Sequence, residues 1–138
     1  MTQYYEGQRL THLSKMEAFL WTKFLEEHGS EFFNYKYDVH LKKPITLPPD
    51  LPPKYAENAI QLTSLRIDAT MEDKRNIYIV ELRPDAKHSA IGSLIMYRFL
   101  YKLQYQPQKI VKMVLITNLY DPAIELTARA IEMPYFVY

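Results

Sequence analysis

The sequence predicts an α/β domain: a mixed β-sheet flanked by helices, in the order αβββαβαβ. Three observations carry this. Residues 32–41, FFNYKYDVHL, alternate apolar and polar with the period of a half-buried strand. Two further β-rich segments, 64–71 and 76–83, are joined by the polar link Glu72-Asp73-Lys74-Arg75, as in a hairpin. Residues 110–117, IVKMVLIT, are nearly all apolar and lie between two helical segments, as expected of a strand covered on both faces. Early strands with short links suit antiparallel pairing, and the later strand–helix–strand unit suits a parallel crossover.

Each element has a local cause. Residues 11–27 are amphipathic, with Leu13, Met16, Leu20 and Phe24 on one stripe, Thr11 or Ser14 as cap and Gly29 just beyond the end. In the first strand Phe33, Tyr35, Tyr37, Val39 and Leu41 are expected on one face, and Asn34, Lys36, Asp38 and His40 in solvent on the other. Five of the nine prolines fall in 44–53, which predicts an extended surface connection. It contains Pro52-Pro53-Lys54-Tyr55, a match to the PPxY pattern that WW domains read; a stiff loop is the favoured explanation, because so short a match arises easily by chance. A short helix is expected over 54–62. The second main helix spans 90–105, with Ala90, Leu94, Tyr97 and Tyr101 inward and Ser89 as cap. Asp121-Pro122 starts a third helix, running to about Glu132; Pro134 stops it, and a last short strand follows at 135–138.

At 138 residues and net charge +1, a single domain spanning 1–138 is expected. Cysteine is absent, which excludes disulfides, thiol nucleophiles and cysteine-based metal sites and fits a reducing compartment. Three glycines cannot build a Walker loop or a GxGxxG turn, and the four histidines lack the spacing of a helical zinc pair. No apolar run reaches the roughly 20 residues a bilayer span needs, and the N-terminus lacks the apolar core of a signal peptide. An intracellular, cytoplasmic protein without a membrane partner is expected.

The chemistry concentrates on two strands. Glu81 and Arg83 share a face, with Leu82 turned to the other. If the second and third strands pair as a hairpin, Asp68 comes close to Glu81. Two neighbouring carboxylates resist joint ionisation, and a divalent cation removes that cost. Such a cation also stabilises charge developing during phosphodiester attack. A plain cross-strand salt bridge on a wet face is the simpler alternative.

The element order, and Asp68 followed after twelve residues by Glu81-Leu82-Arg83, resemble the PD-(D/E)XK nuclease superfamily and its Asp…Glu-x-Lys signature. The resemblance spans about residues 11–138 and implies a restriction-endonuclease-like core. It implies Asp68, Glu81 and the Leu82 carbonyl as ligands of Mg²⁺ or Mn²⁺, with Glu17 matching the acidic residue many members carry on the first helix. The implied activity is metal-dependent hydrolysis of DNA, with Asp68, Glu81 and Arg83 as the catalytic set and Arg83 stabilising the transition state. Two departures stand out. Arg83 occupies the lysine position and cannot act as a base. Ser93-Leu94-Ile95-Met96-Tyr97 keeps the tyrosine of a Gln-x-x-x-Tyr motif but not its glutamine. Both suit a second reading, a catalytically inactive nuclease-like fold that binds nucleic acid or serves in assembly.

Glu17 also completes Ser14-x-x-Glu17, a capping box, so an N-terminal structural role competes with metal binding. From Lys74 to Lys112 there are eight basic and two acidic residues, a +6 segment in a nearly neutral chain. Lys87, Arg98 and Lys102 are the candidate phosphate contacts; a solvated basic helix face would look the same. His88 lies in the loop beyond Glu81, close to the candidate site but also where a surface histidine would be. The small size leaves no room for a separate specificity domain, which suits a homodimer on DNA.

Overall fold

The computed structural model describes residues 12–41, 48–55 and 65–138. Helix α1 (Lys15–His28) leads through a 3₁₀ turn (Gly29–Glu31) into β1 (Phe33–Leu41). Then come β2 (Leu65–Glu72), β3 (Asn76–Leu82), α2 (Ser89–Tyr105), β4 (Ile110–Thr117), α3 (Pro122–Ala130) and β5 (Tyr135–Val137). The sheet runs β1-β2-β3-β4-β5, antiparallel across the first two junctions and parallel across the last two. It is a five-stranded mixed α/β sheet with helices on both faces, as the sequence predicts. The expected short helix over 54–62 lies mostly outside the described residues; 53–55 are helical. Residues 48–55 form two successive turns, Leu51 N–H to the Pro48 carbonyl and Tyr55 N–H to the Pro52 carbonyl, rather than an extended connection.

The two faces carry separate cores. One packs α1 residues Leu20, Trp21, Phe24 and Leu25 against Ala69, Met71, Val80, Leu82, Val114 and Ile116. Each such buried side chain contributes about 1.5–3 kcal/mol. Trp21 is fully buried, and its indole N–H donates to the Tyr37 hydroxyl at 3.2 Å, which fixes α1 against β1. Met16, expected on this buried stripe, is 41% exposed, because the α1 residues that reach the sheet are the adjacent pairs at 20/21 and 24/25. The other core packs Ala90, Leu94 and Tyr101 of α2 and Ile124 and Ala128 of α3 against Ile67, Ile77, Ile79, Met113 and Leu115.

Strand β1 departs from the uniform alternation its sequence suggests. Tyr35 and Tyr37 join the α1 core, whereas Val39 and Leu41 join the α2 core. The reversal falls at Asp38, whose φ of 50° lies in the left-handed region. Strand β2 reverses in step: Ala69 and Met71 belong to the α1 core and Ile67 to the α2 core, with Asp68 between them. The outer end of the β1–β2 pair therefore rolls over relative to the rest of the sheet.

The helix ends follow local chemistry in two cases of three. Ser14 caps α1 with a complete capping box. Asp121 caps α3, accepting from Ala123 and Ile124, with Pro122 behind it; α3 ends at Ala130, two residues short of its expected limit. At α2 the cap position is His88, which makes no side-chain cap bond, and Ser89 is already helical.

Candidate active site

The roll of β2 creates the site. Pairing of β2 with β3 extends from Glu72 opposite Ile77 to Ala69 opposite Val80 and stops there. Beyond that point β3 continues beside β4, Glu81 aligned with Leu115 and Leu82 with Ile116, while β2 stays with β1. The Leu82 N–H thus loses its strand partner. It donates instead to Asp68 Oδ2 at 2.9 Å, so the aspartate side chain takes over a ladder bond where the strands part. Asp68 and Glu81 are consequently neighbours at a fork in the sheet.

The fork is electrostatically loaded. Burial, followed by the Glu81 charge, pushes the Asp68 carboxyl up to about 8, even though the Leu82 N–H favours its ionised form. A side-chain hydrogen bond with Glu81 and the more distant charge of Glu17 act in the same upward direction. Asp68 therefore holds a proton at neutral pH beside the Glu81 carboxylate. The Glu81 side chain is only 7% exposed and is paired at 2.6 Å with Arg83 Nη2, two residues along the same strand. Tyr97, on the inner side of α2, senses both acids: burial first, then the charges of Glu81 and Asp68, raise its phenol. His12 joins from the chain before α1, its Nε2 lying 3.1 Å from the Asp68 carbonyl oxygen.

The sequence-predicted residues divide. Asp68, Glu81, Leu82 and Arg83 come together. Glu17 is near enough to raise Asp68, but its carboxylate accepts from the Ser14 N–H at 2.9 Å and serves the capping box. Among the described residues no group of three or more His, Cys, Asp or Glu side chains is arranged to hold a metal ion. Lys87 is exposed in the loop just beyond β3 and lines a cavity of about 560 Å³ with Asp85, His88, Leu119 and Asp121. His88 Nε2 stands 3.5 Å from Asp121 Oδ2 at its rim. Arg98 opens into a different cleft, with Ile110 and Met113 from the start of β4 and Ile131 and Glu132 after α3. Lys102 is exposed one turn further along α2. Because α2 runs back from the fork toward the opposite end of the strands, where β4 begins, Arg98 and Lys102 do not converge with the acidic pair.

Asp38 and His40, expected in solvent, contact each other at 3.5 Å, and Arg66 Nη1 lies 3.7 Å from Asp38 Oδ1. Asp38 sits opposite Asp68 in the β1–β2 register, between Tyr37–Ala69 and Val39–Ile67. Arg66 and His40 lie at ion-pair distance only, and Asp38 Oδ1 is buried without a hydrogen-bond partner. Sequence reasoning missed His12, 56 residues from its partner in the chain and on no periodic element. No family model matches this chain, and neither a curated protein nor a solved structure matches it.

Proposed function

We propose that the chain is a metal-dependent nuclease of restriction-endonuclease-like fold that hydrolyses DNA phosphodiester bonds. The observation that carries this reading is the forked-strand acidic pair. Asp68 and Glu81 are brought together where β2 leaves β3, and Arg83 stands at the end of the same strand. The donor set suits a hard divalent cation. Asp68 holds a proton beside Glu81, whose other partner is the Arg83 guanidinium, and a cation can take the proton's place. Asp68 and Glu81 would hold Mg²⁺ or Mn²⁺, with the Leu82 carbonyl as a further donor. When bound, the ion supplies Lewis-acid stabilisation of charge on the scissile phosphate. Arg83 presents a permanent cation to the same phosphate and cannot take up a proton from the attacking water. Lys87, exposed in the loop beyond β3, supplies a phosphate contact; Arg98 and Lys102 lie off that path.

The test is divalent-dependent cleavage of duplex, single-stranded and branched DNA. Asp68→Asn and Glu81→Gln should each abolish cleavage while the protein stays folded, since the amides keep the shape and lose the charge. Arg83→Ala should lower the rate about 10²-fold or more, the scale of one lost transition-state donor. Arg83→Lys should keep or raise it.

A second reading has its own support. The 2.6 Å Arg83–Glu81 ion pair neutralises one of the two acids, and Glu17 is spent on a helix cap. A nuclease-like fold that binds nucleic acid without cutting it would have this arrangement. Absence of cleavage with either metal on all three substrates, with none awakened by Arg83→Lys, would establish that reading over the first.

A further inference from the structure

The outward face of α2 is apolar. Ile95, Met96, Phe99 and Leu103 are 44–63% exposed and recur at the spacing of a helix stripe. A surface helix ordinarily turns charge to water, yet α2 contains only Arg98 and Lys102, both beside this stripe. On the same stripe, two turns before Phe99, stands Gly92, where an added Cβ would meet nothing within 4 Å. Gly92 forms the floor of a groove of about 470 Å³ between α2 and α3, walled by Ile91, Ile95, Ala123, Ile124 and Thr127.

We infer that this face packs against the same face of a second copy of the chain, with the two α2 helices antiparallel about a two-fold axis between Ile95 and Met96. The largest knob and the only gap on the stripe lie equally far on either side of that axis. An antiparallel arrangement therefore sets Phe99 of each copy into the groove over Gly92 of the other, and does so twice. Ile95 meets Met96, and Leu103 meets His88. The charges fit the same register. Arg98 comes opposite Ser93, and Lys102 comes opposite Ser89, at the end of α2 where the neighbouring cavity is lined by two acidic residues, Asp85 and Asp121, against one lysine, Lys87, and His88. Within α2 itself no like charges oppose. Four side chains at about 100 Å² each supply roughly half of the ~800 Å² per partner of a specific dimer, and the groove walls add to it. The dimer does not depend on the nuclease reading.

The wild-type chain should sediment as a dimer at micromolar concentration. Phe99→Glu and Gly92→Trp should each weaken association at least ~30-fold, the loss expected for a central anchor, with unchanged circular dichroism. The absence of cysteine permits a sharper test. Gly92→Cys and Phe99→Cys are too far apart along one helix to bridge within a chain. Mixed, the two single variants should form an intermolecular disulfide efficiently, and neither alone should do so. A wild-type monomer would overturn the inference and leave the stripe to another partner. Equal cross-linking of either variant with itself would overturn the antiparallel register.

Discussion

Asp68 meets two demands at once. Its carboxylate satisfies the Leu82 N–H that the parting strands would otherwise leave bare, and its neighbour Glu81 opposes its ionisation. With the carboxyl raised from an ordinary 3.8 to about 8, the folded protein keeps a proton that the unfolded chain gives up near pH 4. Between about pH 4 and pH 8 the native state therefore binds more protons, and stability falls as pH rises, by up to about 1.4 kcal/mol per pH unit for one full proton. Below pH 4 both states are protonated, and above 8 neither is, so this contribution is flat outside the window. Denaturant midpoints taken from pH 4 to 9 in a chelator should show the fall in the wild type. Asp68→Asn should flatten it and leave the variant the more stable protein at pH 9. A wild-type profile without slope in that window would show that Asp68 does not keep its proton.

At the scale of elements, what the sequence made legible was local. The capping box at Ser14–Glu17, the Asp121-Pro122 start of α3 and the Asp73 turn are each written within four residues. In that turn Asp73 accepts from Tyr78 and from the amides of Arg75 and Asn76; burial alone would raise it, but these bonds hold it at about 2. The roll of β1 and β2 was not legible, because nothing in FFNYKYDVHL marks Asp38 for a left-handed conformation, and strict alternation assigns all five apolar residues to one face. That roll turns Asp68 from a residue near Glu81 into one that bonds the Leu82 amide. The cap also decides between the two roles of Glu17. Ser14→Ala should cost about 1 kcal/mol in denaturant unfolding, whereas Glu17→Gln, which can still reach the Ser14 amide, should cost a few tenths. Calorimetric Mn²⁺ affinity should be unchanged by Glu17→Gln; a clear loss would restore Glu17 to the metal site.

At the scale of the whole molecule, the order of strands sets which charges can act together. The acidic fork lies where β3 ends, and the loop 83–88 that leaves it carries Lys87 at the same end of the sheet. Helix α2 then returns along the sheet, so its basic residues lie progressively further from the fork, and Arg98 turns into a cleft that also contains Glu132. The +6 segment of the sequence is thus not one stripe in space. A linear count of charge cannot register this, because the crossover between the adjacent parallel strands β3 and β4 carries the chain from one end of the strands to the other. The salt dependence of DNA binding separates the contributions, since each phosphate contact adds about 0.9 to the slope of log affinity against log salt on a duplex. Lys87→Gln should lower that slope by about one. Replacing Arg98 and Lys102 together by Gln should leave it nearly unchanged, and in the antiparallel dimer the lost Lys102 charge should appear as weaker self-association. A fall of about two in the slope for the double variant would mean that the duplex runs along α2, and that this face binds DNA in place of a second copy.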